Sequence, residues 1–175
     1  LRDLRQKNGG FSGTLDADSE GIEGKFYVWS EEEINNLLGD QAELFKKIYD
    51  VNPNGNWEGS TILNRTSALA LGSDAVEAIL ADCRRTLLET RVKRVWPGLD
   101  DKILTDWNGM MVSALAIASQ TFGNQSWLLA SVKAYDFVRR EMIKGKRFVH
   151  SWRQGLNTTN VVLDDYAQFI RAALV

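Results

Sequence analysis

Between Trp107 and Phe122 the chain runs through Met110, Met111, Val112, Ala114, Leu115, Ala116, Ile117 and Ala118 without a charged residue. The spacing predicts a helix over this stretch that is apolar on nearly every side. A helix without a polar face has to be covered by several neighbours, and its small residues allow those neighbours to approach closely. The apolar run from Met110 to Ser119 is too short and too interrupted to span a bilayer. Gly123 stops the helix, and Asn124 to Met142 reads as an amphipathic partner carrying Trp127, Leu128, Ala130, Ala134, Phe137 and Val138. Together they predict an inner–outer helix hairpin.

An acidic turn, Leu99-Asp100-Asp101-Lys102-Ile103-Leu104, stands in front of the inner helix. It has two echoes, Leu15-Asp16-Ala17-Asp18-Ser19-Glu20-Gly21 and Leu163-Asp164-Asp165-Tyr166-Ala167. Acidic turns that recur beside helices are expected to gather on one rim of a helical fold. The plainer role of such carboxylates is capping, since Asp at a helix start accepts the free amides. Asp16-x-Asp18-x-Glu20-Gly21 also resembles the first half of an EF-hand loop. The second half fails, because Tyr27 stands where the bidentate Glu belongs, so no metal is expected.

The remaining chain predicts helices joined by short extended pieces. Residues 1–7 are helix-compatible, and Lys25-Phe26-Tyr27-Val28-Trp29 reads as a strand. Ser30 and Glu33 form a capping box for a helix ending at Gly39, and Asp40 is expected to cap the next. Asp74, followed by Glu77, is expected to open a helix reaching about Arg94. Arg147 to Trp152 is extended, Gly155 turns it, and a final helix follows Asp164-Asp165. The fold class is therefore mainly α, with short β-hairpins on the loops, and the chain is read as one domain over residues 1–175.

The formal net charge of −2 gives no sign of a nucleic-acid footprint or a polybasic membrane surface. Cys83 is the only cysteine, so neither an internal disulfide nor a cysteine-based zinc site can form. That suits a reducing, cytoplasmic location. The chain does not begin with Met and ends inside a helical pattern, which reads as a fragment.

The candidate chemistry lies in acids and aromatics. Two carboxylates in unequal environments suit general acid–base work, and Asp18, Glu23, Asp101 and Asp165 are the candidates, with His150, the only imidazole, as an alternative base. Indole faces stack on sugar rings while Asp, Asn and Arg bind hydroxyls. Trp29, Trp57, Trp107, Asn108, Lys102, Arg153, Asp16, Asp164 and Tyr166 are therefore candidate ligand contacts. Trp152 also lies beside these loops.

Five stretches in order carry a family resemblance: Gly9-Gly10-Phe11, the segment from Leu15 to Trp29, Gly55-Asn56-Trp57-Glu58-Gly59, Asp100-Asp101-Lys102-Ile103-Leu104 with Trp107-Asn108-Gly109-Met110-Met111, and Asp164-Asp165-Tyr166-Ala167. They resemble the helical region of the YyaL-like, spermatogenesis-associated thioredoxin-domain family. The resemblance implies an internal piece of an (α/α)6 toroid, similar to six-hairpin glycosidases and N-acylglucosamine 2-epimerases, whose thioredoxin-like domain lies outside this chain and is a partner in the full-length protein. Epimerases of that related fold use a pair of histidines, of which this chain has one. Asp106 stands where the family pattern suggests a small residue, and Ser12-Gly13 replaces a Tyr-Ser-like pair.

Three readings stand side by side. The first is a carbohydrate-active domain, epimerase-like or glycosidase-like, acting on a sugar-like ligand without a cofactor. The second is a non-catalytic module that holds a ligand or partner. The third is a purely structural repeat of helix hairpins.

Overall fold

The computed structural model describes residues 1–158 and 160–175; Thr159, on the connection from Asn157 to Val162, lies outside them. In chain order the chain forms strands β1 (Thr14–Leu15), β2 (Asp18–Ser19) and β3 (Ile22–Glu23), then helices α1 (Glu31–Leu38), α2 (Ala42–Tyr49) and α3 (Asp74–Arg91). Strands β4 (Leu99–Asp100) and β5 (Ile103–Leu104) lead to helices α4 (Thr105–Phe122) and α5 (Gln125–Glu141). Strands β6 (Ile143–Lys144), β7 (Arg147–Phe148), β8 (Ser151–Arg153) and β9 (Leu156–Thr158) precede the last helix, α6 (Leu163–Leu174). The protein is mainly helical with short hairpins. No helix among the described residues is long and apolar enough to cross a membrane.

The chain separates into two compact units, one made of Leu1–Asp16 with Leu99–Val175, the other of Ala17–Gly98. In the first, α4 packs against both α5 and α6. The all-round apolar sequence of α4 is thus used on two faces. At the α4–α6 crossing Gly109 is required, because a Cβ there would stand 2.8 Å from the backbone of Gln168. Ser131 on α5 donates its hydroxyl to the Val112 carbonyl at 2.9 Å, tying the hairpin together. Ile103, Phe137, Val138, Met142, Val149 and Phe169 form one apolar cluster of this unit.

Strand pairing aligns the loops of the first unit. β1 pairs antiparallel with β4, Thr14 opposite Asp100. β5 pairs with β8, Ile103 opposite Trp152 and Leu104 opposite Ser151, and β8 pairs with β9. The β8–β9 turn, Gln154-Gly155, has φ of 50° and 84°. Positive φ at both central residues is the geometry that matches strand twist in two-residue hairpins. Asn108 is 1% exposed. Its carboxamide accepts from the Phe11 amide at 2.8 Å and donates to the Phe11 and Leu104 carbonyls at 3.0 and 2.9 Å.

The second unit has its own core of Trp29, Ile34, Phe45, Leu80, Cys83 and Leu87. Ser30 caps α1, and Glu33 reaches back to the Ser30 amide at 2.9 Å, the expected capping box. Arg94 ties this unit together. Its guanidinium donates to the carbonyls of Phe26 and Val28 at 3.0 and 2.8 Å, pairs with Glu33 at 2.9 Å, and lies 4.1 Å over the Trp29 ring.

Several local expectations change. Residues 1–7 form turns and a bridge from Arg5 to Phe11, not a helix. Lys25 to Val28 is a turn in which Tyr27 and Val28 both bond the Gly24 carbonyl; only Trp29 bridges, to Thr61. α3 opens at Asp74 as expected but ends at Arg91, short of Arg94; Ser73 is its cap, and Glu77 accepts from the Gly72 amide and Arg65. Asp40 lies in a 3-10 turn, Gly39–Gln41, and supplies no cap to α2. Asp16-x-Asp18-x-Glu20-Gly21 is a hairpin with Asp18 opposite Glu23, turned by Glu20 and Gly21 at positive φ.

Candidate functional site

The site assembles where α4 and α6 begin. The β5–β8 ladder continues one step past the strands, so that the amide of Thr105, first residue of α4, donates to the His150 carbonyl at 2.9 Å. The Thr105 hydroxyl donates to the Val149 carbonyl at 2.6 Å. These bonds fix the backbone of His150 against the α4 N-terminus. α6 supplies Asp165 in its first turn, where the carboxylate accepts from the Val162 amide at 2.9 Å. The same carboxylate accepts from the Asp106 amide, in the first turn of α4, at 3.2 Å.

Asp165 is fully buried, 0% exposed. His150 Nδ1 lies 3.0 and 3.1 Å from its two oxygens. An ionised carboxylate only accepts, so the shared proton sits on Nδ1 and Nε2 is the nitrogen left for other work. The His150 side chain is 30% exposed. Two helix N-termini meet at Asp165, and their field suits a negative charge. A buried acceptor with this many donors is satisfied, not stranded.

Asp106, Asp165 and His150 offer ligand atoms within 4.8 Å of one another. A cation held through Nδ1 would have to displace the imidazole N–H, and it would face two backbone N–H dipoles aimed at the same carboxylate. The donor set suits proton handling better than cation binding. Asp106 itself accepts from the Trp107 amide at 2.8 Å. In sequence Asp106 is a carboxylate of the 99–109 stretch and a departure from the family pattern, with no sign of a partner. Its signal was position: it lies one residue past the α4 start that β5 registers against His150.

The other candidates divide between the units. Asp101 pairs with Arg153 at 2.5 Å and accepts from Gln154 at 3.3 Å, because the β5–β8 register sets Arg153 and Gln154 beside it. Asp100 pairs with Lys102 at 3.1 Å. Neither Asp caps a helix; Asp100 is in β4. Tyr166 packs edge-on against Phe148, and Asp164 is exposed on the first turn of α6. Trp107 is 48% exposed, beside a depression of about 90 Å³ that also touches Phe11 and Met111. Asp16 is exposed and belongs to this unit.

Asp18, Glu23, Trp29 and Trp57 belong to the other unit. Trp29 is 2% exposed with Arg94 over its ring, so it is core and offers no face to a ligand. Asn108 is likewise a buried backbone clamp, not a contact for ligand hydroxyls. Trp152 packs edge-on against Phe137. Trp57 keeps an exposed face and lines an apolar depression of about 210 Å³ with Glu23 and Tyr27. Alternation and loop position cannot tell a core indole from an exposed one. The partners of Trp29 include Thr61, Leu80 and Arg94, far along the chain.

No protein-family model matches the chain. It is similar to spermatogenesis-associated protein 20 of Rattus norvegicus, 29% identical over 174 residues, and to that of Homo sapiens, 28% identical over 174 residues; each match covers 81% of this chain and 22% of the relative. These relatives bear the name of the family whose motifs the chain resembles. An uncharacterized protein of Caenorhabditis elegans is 27% identical over 215 residues, covering 99% of this chain and 29% of that protein. The chain thus spans about a fifth of the length of the spermatogenesis-associated relatives.

Proposed function

We propose that the His150–Asp165 pair is an acid–base centre acting on a hydroxylated, sugar-like small molecule, with His150 Nε2 exchanging the proton. The observation that supports this reading is the fully buried Asp165, which receives two helix-start amides and holds Nδ1 of the only histidine. That arrangement leaves Nε2 as the one ring nitrogen that Asp165 does not engage, on a side chain 30% exposed. Asp106 is the nearby second group suited to return a proton on the same site. This favours epimerase- or isomerase-like chemistry, proton removal and return at a carbon beside a carbonyl, over a glycosidase-like pair of carboxylates. Asp101, a candidate for such a pair, is committed to Arg153. The (α/α)6 toroid and the thioredoxin-like partner domain belong to the same proposal and rest on the family resemblance.

The test screens monosaccharides and their phosphates for thermal stabilisation of the full-length protein, then follows any hit by proton NMR in D2O. Deuterium is expected to enter one C–H position of the hit with the parent protein and at least a hundredfold more slowly with His150→Gln, about the contribution of one general base. A hit that exchanges equally fast with His150→Gln sinks the proposal, and so does a screen without hits.

A second reading, a non-catalytic scaffold, is favoured by how many candidate residues do structural work: Asn108 as a clamp, Trp29 as core, Asp100 and Asp101 in ion pairs. It expects a stabilising ligand whose protons do not exchange.

A further inference from the structure

Residues 17–98 contain a cavity of about 470 Å³, within the size range of small-molecule sites. It shares none of its lining with the His150 site. One wall is apolar, made by Phe26, Val28 and Val95. The charged groups around it cancel in pairs, with one exception. Glu33 is held by Arg94 at 2.9 Å and by the Ser30 amide, and Glu20 is held by Lys25 at 2.9 Å. Arg94 is further spent on the backbone carbonyls of Phe26 and Val28. Lys93 remains, an exposed residue of the lining whose side chain has no anionic partner among the described residues. Ser60, also a lining residue, bonds through its backbone to Asn56 and Trp57, and its hydroxyl has no hydrogen-bond partner among the described residues.

The walls are held rigidly. The Arg94 bonds staple the 25–28 turn to the end of the α3 segment, and Ser19 donates its hydroxyl to the Val95 carbonyl at 2.6 Å. The cavity is therefore preformed, which lowers the ordering cost of occupying it. A preformed cavity with one uncompensated cation, one free hydroxyl and a hydrocarbon wall selects for an anion that also carries an apolar body.

We propose that this cavity binds a small organic acid, its carboxylate on Lys93 and Ser60 and its hydrocarbon against Phe26, Val28 and Val95. Inorganic phosphate satisfies Lys93 but leaves the apolar wall wet, and a neutral alcohol covers the wall but leaves Lys93 without a partner. The two halves of the site thus discriminate against each fragment alone.

The experiment titrates the full 175-residue chain with hexanoate, hexan-1-ol and inorganic phosphate, reading amide chemical shifts by NMR. Hexanoate is expected to give saturable shifts at Val28, Ser60, Lys93 and Val95, with hexanol and phosphate each about tenfold weaker or more. Lys93→Gln is expected to weaken hexanoate about tenfold, and Lys93→Arg to retain it. Lys47→Gln, which removes one exposed charge from α2, controls for net charge and is expected to leave binding unchanged. Hexanoate shifts that do not saturate overturn the proposal, as does equal binding by Lys93→Gln. Phosphate binding as tightly as hexanoate overturns the assignment of an amphiphilic ligand.

Discussion

Asp165 is the residue on which the site rests, and its substitution separates structure from chemistry. In the Asn variant an NH2 replaces one acceptor oxygen and must face either a backbone amide or the imidazole. Losing a buried charge-assisted acceptor is expected to cost about 2–3 kcal/mol of stability, read by urea unfolding of the full chain. The His150 tautomer supplies the second readout. Nitrogen NMR of the neutral ring is expected to show Nδ1 protonated in the parent and a mixed population in Asp165→Asn. A parent ring protonated on Nε2 contradicts the assigned geometry. At this scale the sequence was partly legible. The Ser30–Glu33 capping box needs only a three-residue spacing, and it forms as read. His150 and Asp165 were both candidate residues, yet nothing in either's neighbourhood says that they meet. Their contact depends on the β5–β8 register and on where α6 starts, both set by pairing between distant segments.

Elements were more legible than contacts, because apolar periodicity and glycine stops are local. α4, α5 and α6 begin and end within a residue or two of the expected positions, with Gly123 in the left-handed conformation that closes α4. What the pattern did not show is how α4 uses its apolar surface. Two faces meet α5 and α6, while Trp107, Met110 and Ile117 stay exposed on a third. The residue that decides the α4–α6 crossing is Gly109. Helix propensity alone predicts that Gly109→Ala stabilises by up to about 1 kcal/mol. Close packing predicts the opposite: a Cβ 2.8 Å from the Gln168 backbone must push two helices apart, at about 2–3 kcal/mol. Thermal or urea unfolding of Gly109→Ala decides by the sign of the change. A stabilised variant removes the claim of a tight crossing. Short strands were the least legible elements. Lys25 to Val28 has strand composition but turns, since a β-rich sequence of this length folds as a strand only where an edge accepts it.

At the scale of the molecule, two units with separate apolar clusters form from one chain, which composition and length do not reveal. Their stabilities can therefore respond separately to pH. In the unit spanning residues 17–98, Arg65 grips Glu77 through both guanidinium nitrogens, at 3.0 and 2.9 Å, and the Gly72 amide donates to the same carboxylate at 3.0 Å. Arg65 first, and the Gly72 amide second, hold the Glu77 carboxyl below its ordinary value of 4.5. A carboxyl lowered in the folded state binds its proton more readily when unfolded. Its contribution is therefore present above pH 4.5 and is lost as the pH falls through the lowered value. Native-state hydrogen exchange at α3 core amides such as Leu80 and Cys83 reads the opening of this unit by itself. The parent is expected to lose protection as the pH is taken from 6 to about 3, after correction for intrinsic exchange. Glu77→Gln is expected to start lower at pH 6, with a shallower fall and convergence on the parent at the acid end. Parallel curves would assign the acid sensitivity of α3 to other carboxylates, and a Glu77→Gln curve that stays above the parent throughout would make the Arg65 pair destabilising. The pair fastens the long 51–73 connection, which has little secondary structure, to the first turns of α3. Its loss is expected to reach the Trp29–Thr61 bridge as well as α3.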